Sequence, residues 1–212
     1  MEDHFSAIAN SVGSTDNRDQ VMNTLGTVPG HNDVINAHEL RQIVRGLKSI
    51  KAVGNDGIPL EVYKFASERL LTILSIFLSG CMLSGRLPST LMHVVIIPLL
   101  KCKSKDPADV NNYRPIAIAT ALSKVLEQVL LSRLARYLWT ADSQFGFKQA
   151  HGTEMAIFAP KQSVDFYRYQ DTPVYMCFLD AKKKFDRVNH WTLAKKLLDR
   201  NVPYHILKLF IF

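Results

Sequence analysis

Two short apolar runs, His93 to Leu100 and Ile116 to Ala119, constrain the fold most, because they are islands of β-forming sequence in a chain that otherwise carries helical periodicity. The polar loop CKSKDPADVNN and the opening Tyr113-Arg114-Pro115 join them. Two such runs separated by about a dozen polar residues predict a long, basic-tipped hairpin or flap. After Thr120 the pattern changes: Leu122, Val125, Leu126, Val129, Leu130 and Leu134 repeat at helical spacing, predicting a long helix to about Trp139. Strands are few and helices many, so the fold class is α+β with a helix-rich front part.

Upstream, Asn36 stands three residues before Glu39 as a possible capping box, and Leu40, Ile43, Val44 and Leu47 share one face of the helix that follows. The stretch AVGNDGIP, Ala52 to Pro59, is a turn, followed by helical segments from about Leu60 to Leu83. Downstream, the loop ADSQFGFKQAHG leads into a helix from Thr153 to about Tyr169. Pro160 falls inside that helix, where proline removes a hydrogen bond at a cost of about 3 kcal/mol, and it predicts a bend or split near Ala159. A strand is expected over Thr172 to Leu179 and a helix over Trp191 to Asp199, with Leu193, Leu197 and Leu198 available for burial. Residues 1–34, rich in Ser, Asn, Gly and Asp without a sustained period, read as a flexible lead-in. The organisation expected is therefore 1–34, a helical region with a β flap over 35–170, and a strand with its following helix over 171–212.

Charge is unevenly placed. Residues 1–34 hold five acids against Arg18, a net of −4, which leaves +11 of the chain's +7 for the remainder. A basic body suits a polyanionic partner such as nucleic acid, although charge alone reports only solubility and non-specific attraction. Cys81, Cys102 and Cys177 are odd in number and unpaired by spacing, and the histidines show no ligand spacing, so the reading is a reduced, intracellular protein without a zinc site. No secretory signal is evident at the N-terminus. The longest uncharged run, Leu70 to Gly85, is short of the roughly 20 residues a bilayer requires, and a buried helix is expected there rather than a membrane span.

Candidate chemistry centres on Asp180, at the end of the apolar run Val174 to Leu179. A carboxylate fixed at a strand end can ligate magnesium, which takes hard oxygen donors, but a strand-ending acid is also ordinary in α/β proteins and one carboxylate binds magnesium poorly. Asp186 reads as a helix-cap or salt-bridge residue. Lys101 and Arg114 flank the basic loop, where a guanidinium followed by rigid Pro115 can hold a triphosphate through paired hydrogen bonds, or can simply be solvated. Lys148, Lys161 and Lys182 to Lys184 can each meet a phosphate without reading sequence. Phe145 and Phe147, around Gly146, can touch a base or anchor their loop. No Walker-type glycine loop and no GxSxG nucleophile site is present.

Taken in order, five blocks resemble the reverse transcriptase domain of non-LTR (LINE-type) retrotransposons. They are KAVGNDGIPLEVYK (Lys51 to Lys64), VVIIPLLKCKSKDPADVNNYRPIAI (Val94 to Ile118), LSKVLEQVLLSRL (Leu122 to Leu134), QFGFKQAHGTEMAI (Gln144 to Ile157) and FLDAKKKFDRVNHWTLAKKL (Phe178 to Leu197). The resemblance implies the fingers and the beginning of the palm of a right-hand polymerase, acting on an RNA template, a DNA primer and deoxynucleoside triphosphates with Mg2+. It implies that Asp180 is the first catalytic aspartate, with the Ala181 carbonyl as a second metal contact. Phe185 matches the residue that packs under the deoxyribose, Arg114 and Lys101 match the triphosphate grip, and Gln144, Phe145 and Gly146, with Lys148 beside them, match a template-side loop. An intracellular ribonucleoprotein, nuclear or cytoplasmic and without a membrane, follows from the family only.

Two residues depart from the family. Lys184 stands where members carry a small residue, and Pro160 interrupts a helix that members keep continuous. The chain also contains no aromatic-x-Asp-Asp box. The expectation is a partial reverse transcriptase that does not polymerise alone and is poorly soluble. The alternatives are a non-catalytic RNA- or DNA-binding remnant and a decayed reading frame.

Overall fold

A computed structural model describes residues 15–26, 34–181 and 188–211, and it divides into two units. The first comprises the described residues up to Tyr137 together with 188–211; the second comprises 138–181.

The first unit is built from helices around one apolar cluster. Its elements, in chain order, are α1 (Thr15–Gly26), α2 (Ala37–Gly46), α3 (Glu61–Lys64), α4 (Glu68–Ser84), α5 (Ser89–Met92), β1 (Val94–Leu100), β2 (Tyr113–Ala119) and α6 (Ala121–Leu134). A 3-10 turn at Ala135–Tyr137 extends α6. In the second unit lies α7 (Thr153–Tyr169), and α8 (His190–Asp199) and α9 (Tyr204–Ile211) return to the first.

Local chemistry sets the helix ends. Asn36 Oδ1 accepts from the Glu39 N–H at 2.8 Å, Ser67 Oγ from Leu70, Thr120 Oγ1 from Ser123 and Asn189 Oδ1 from Thr192, so four helices begin on side-chain caps. The capping box at Asn36 is half made: the Glu39 carboxylate reaches across to Arg133 at 3.0 Å instead. At the far end of α4, Gly85 takes φ 63° and lets Arg86 donate to the Cys81 carbonyl, the left-handed termination that favours glycine. A Cβ at Gly85 would also lie 2.9 Å from the Lys208 Cβ of α9, so the turn doubles as a packing contact.

The predicted face of α6 is the buried one: Val125, Leu126, Val129, Leu130 and Leu134 enter the core with Leu40 and Val44 of α2 and Leu71, Leu78 and Met82 of α4. The 16-residue uncharged run is helix α4 and its cap, and among the described residues no helix is long and apolar enough to cross a membrane.

Four expectations change. Residues 15–26, within the expected lead-in, form α1, whose Val21 and Leu25 are buried. A single i, i+4 pair in a polar segment is enough when α8 supplies the other side, through Asn17 Nδ2 donating to Thr192 Oγ1 at 3.1 Å and Arg18 over the Trp191 ring. Pro160 does not split its helix: α7 runs unbroken from Thr153 to Tyr169, since a proline removes one ladder bond while its neighbours' bonds persist. Thr172 to Leu179 forms no strand. A strand exists only through a ladder, and among the described residues β1 and β2 pair solely with each other. Leu193 is half-exposed, while Leu197 is buried and Leu198 packs at the core's edge.

Candidate nucleotide and nucleic-acid site

The antiparallel ribbon places the first pair of candidate residues. Its register sets Leu99 opposite Arg114, Ile97 opposite Ile116 and Val95 opposite Ile118, all on one face by the two-residue period. Lys101 follows β1 directly, where its N–H donates to the Asn112 carbonyl, so Lys101 and Arg114 both stand at the loop end of the hairpin. Pro98 lies opposite Pro115. Neither can donate to a ladder, which is tolerated because each strand of a two-stranded ribbon is an edge.

The loop beyond the ribbon is held by its own polar groups. Lys101 N–H donates to the Asn112 carbonyl at 2.8 Å and Tyr113 Oη to the Pro107 carbonyl at 3.0 Å. Asp106 and Asp109 each accept from the backbone two residues on, the Asx-turn geometry that makes a short loop rigid. The Asp109 carboxyl is held below its ordinary range first by the Asn111 N–H, with Lys101 and Lys105 adding. Lys101 Nζ is committed to the Asn111 carbonyl at 2.6 Å. The Arg114 side chain is exposed and makes no hydrogen bond or ion pair among the described residues, so its guanidinium is available to an anion at no cost in broken contacts.

This loop also carries an activated thiol. Cys102 is exposed, and Ser104, first through its hydroxyl and then through its N–H, pulls the Cys102 thiol below its usual range, with Lys105 contributing. Cys81 is buried in α4, and burial pushes its thiol up. Iodoacetamide on the native chain is therefore expected to modify Cys102 at least about tenfold faster than Cys81, because thiolate fraction and access both favour it. Peptide mapping of a time course checks this, and equal rates would show that the loop or the core is not as described.

The second unit holds the other candidates. In the loop before α7, Gln144 Nε2 donates to the Gly146 carbonyl at 2.8 Å, and Lys148 Nζ reaches the Ala141 carbonyl at 3.3 Å and Asp142 at 3.7 Å. Phe145 is half-buried against His151, with ring centroids 5.8 Å apart, and so anchors the loop. Phe147, at φ 58° and 94% exposed, projects from it. The loop gathers Gln144, Gly146 and Lys148 by local bonds, and a Cβ at Gly146 would meet nothing within 4 Å, leaving open space beside it.

Asp180 and Ala181 are exposed and lie in no helix or strand. They offer one carboxylate and one carbonyl, and among the described residues no three His, Cys, Asp or Glu side chains converge. A magnesium ion needs near-octahedral oxygen coordination, so these residues do not make up a magnesium site. Phe185, Lys184 and Asp186 lie outside the described residues.

The family model described as reverse transcriptase (RNA-dependent DNA polymerase) matches residues 80–211. The chain is similar to the RNA-directed DNA polymerase from mobile element jockey of Drosophila funebris, 29% identical over 189 residues that cover 84% of this chain and 20% of that protein. It is likewise similar to the retrovirus-related Pol polyprotein from type-1 retrotransposable element R2 of Popillia japonica, 29% identical over 161 residues, 75% of this chain and 21% of that protein. The chain thus spans about a fifth of the length of these curated relatives. A match running from the end of α4 through the ribbon and α6 to α9 covers more than half of the molecule, and the chain belongs to the reverse transcriptase (RNA-dependent DNA polymerase) family, as part of the domain found in non-LTR retrotransposons.

Proposed function

We propose that this chain contributes the fingers and the beginning of the palm to an RNA-templated DNA polymerase, where it grips the incoming deoxynucleoside triphosphate and guides the template. The observation that carries the reading is the ribbon, which holds uncommitted Arg114 and, just past β1, Lys101 at the loop end of an exposed hairpin. A planar guanidinium presents paired donors to phosphate oxygens, and the fixed φ of Pro115 limits the backbone freedom beside it. Lys101 joins by exchanging the Asn111 carbonyl for phosphate. In this reading Gln144, Phe145, Gly146 and Lys148 face the template, Phe185 packs under the sugar, and Asp180 with the Ala181 carbonyl is one portion of a metal-binding set. Divalent metal is general in the family, but the donors gathered among the described residues do not complete a site. The primer and template would make the working particle an intracellular ribonucleoprotein.

The same shortage of convergent carboxylates favours a second reading, in which the chain by itself binds nucleic acid without synthesis. Two measurements on the isolated chain test both. Primer extension on an RNA template with magnesium is expected to give no product above that of Asp180→Ala; Asp180-dependent synthesis would overturn the prediction. Cross-linking of a photoreactive deoxynucleoside triphosphate is expected to fall roughly tenfold or more with Arg114→Ala, the scale of one charge-assisted hydrogen-bonded contact. Unchanged labelling would remove Arg114 from the triphosphate grip.

A further inference from the structure

Away from the ribbon, the first unit carries a cleft of about 860 Å3 between the end of α6 and the turn that joins α8 to α9. Its chemistry is distinctive. Arg133, Arg136, Tyr137, Asn201, Tyr204 and His205 line it, with Glu39 the one acid. Glu39 is already neutralised, since Arg133 Nη2 lies 3.1 and 3.0 Å from its two oxygens. The remaining cation, Arg136, has no carboxylate partner among the described residues. It stacks instead on its neighbour, with the guanidinium carbon 4.8 Å from the Tyr137 ring centroid.

That stack is held from behind. Arg200 Nη1 donates to the Tyr137 carbonyl at 3.3 Å, which ties the end of the 3-10 turn to the end of α8. A further wall is Pro203 with the first turn of α9, Tyr204 to Ile206, whose positive end adds to a field that favours anions. The cleft therefore joins a guanidinium on an aromatic, a second aromatic in Tyr204, an amide in Asn201 and no uncompensated acid. Phosphate is met by guanidinium and amide donors, and a base is met by flat aromatic or guanidinium faces, which is the combination that single-stranded nucleic acid recognises without regard to sequence.

We infer that this cleft is a second binding site for single-stranded nucleic acid, in which Arg136 and Asn201 hold a phosphodiester and the part-exposed Tyr204 receives a base, while Tyr137, packed on the core and covered by Arg136, positions that guanidinium. It uses none of the residues assigned above to nucleotide or template. An ordinary solvated basic surface would lack the cleft and the guanidinium braced on an aromatic, and a site for acidic peptide would have no use for a stacking face. The cleft volume is that of a small-molecule pocket, so it admits one or two nucleotides of a longer strand rather than a duplex.

The test uses the full chain and a tetranucleotide carrying 4-thiouridine, cross-linked by near-ultraviolet light and mapped by peptide mass spectrometry. Adducts are expected on the peptide that holds Tyr204. They should fall at least about fivefold in Arg136→Gln and in Tyr204→Ala, the low end of one lost stacking contact. They should persist in Lys101→Ala combined with Arg114→Ala. The salt dependence of tetranucleotide affinity should flatten by about one phosphate contact in Arg136→Gln. Arg136 is exposed, so this variant is expected to melt with the parent, and Arg136→Lys, which keeps the charge and loses the planar stack, should be intermediate. Adducts confined to other peptides, adducts indifferent to Arg136, or displacement of the tetranucleotide by polyglutamate as readily as by oligouridylate would each overturn the inference.

Discussion

Gly54→Ala lowers the stability of the first unit by about 2–4 kcal/mol, from overpacking against backbone combined with damage to a helix cap. The position tolerates no side chain: a Cβ there would stand 2.7 Å from Thr120 Cα, 2.8 Å from Thr120 N and 3.0 Å from the Ala119 carbonyl carbon. These are main-chain atoms at the junction of β2 and α6, so no rotamer change relieves the overlap. Thr120 cannot shift freely either. Its Oγ1 caps Ser123 N–H at 3.2 Å and meets Ser123 Oγ at 2.7 Å, and Ser123 Oγ donates to the Leu91 carbonyl at 2.6 Å. Lys124 adds a bond from Nζ to the Ala52 carbonyl, fastening the same loop from the other side. For a domain of this size the loss corresponds to a fall in Tm of roughly 5–15 °C. Thermal melts by circular dichroism check it, with Gly80→Ala as the reference. Gly80 lies in α4 with nothing near its would-be Cβ, so alanine there should raise stability by up to about 1 kcal/mol. Gly54→Ala melting with the parent would show that the loop does not seat on Thr120.

That loop shows what sequence can and cannot disclose. AVGNDGIP is legible as a turn from its Gly, Asn, Asp and Pro, but the reason for Gly54 in particular lies in Thr120, 66 positions away, and no local pattern points there. The same division runs through the fold. α2, α4 and α6 are written in local periodicity and caps, and they form where periodicity places them. The segment Val174 to Leu179 has β-forming composition but no ladder partner among the described residues, and composition cannot supply one. Pro160 is the converse case, a local breaker inside a helix that persists around it.

The candidate site was legible in part. Basic residues at the ribbon's loop end follow from the sequence order, yet the register that sets Arg114 opposite Leu99, and the bond that occupies Lys101 Nζ, are matters of geometry. The cleft at Arg136 left no sequence signal. Its lining comes from α2, the end of α6 and the α8–α9 turn, and no sequence pattern brings Arg136 to Asn201, 65 positions on. Arg133 could be assigned to a helix face, but its pairing with Glu39, 94 positions earlier, could not.

Helix α9 escaped the sequence reading altogether, and it supplies the second large effect: Leu207→Ala should cost about 2–5 kcal/mol, the range for truncating a fully buried leucine. Leu207 is 0% exposed, flanked in the core by Ile206 and Leu209, and α9 packs against both α4 and α8. Eight residues are too few to hold a helix by propensity, so α9 exists because its apolar face is covered. Removing three heavy atoms from the centre of that face forfeits their transfer free energy and leaves a cavity between helices whose backbones are fixed by neighbours on either side. The Gly85 turn touching Lys208 makes collapse into the cavity harder, because α4's end already abuts α9. Phe210, one turn on and half-exposed, is the internal reference: Phe210→Ala removes more atoms but should cost only about 1–1.5 kcal/mol, since about half of the side chain is in water already. Urea unfolding monitored by circular dichroism separates the two. A Leu207→Ala loss no larger than that of Phe210→Ala would mean that α9 is not part of the core, and the α8–α9 wall of the cleft would then lose its support as well.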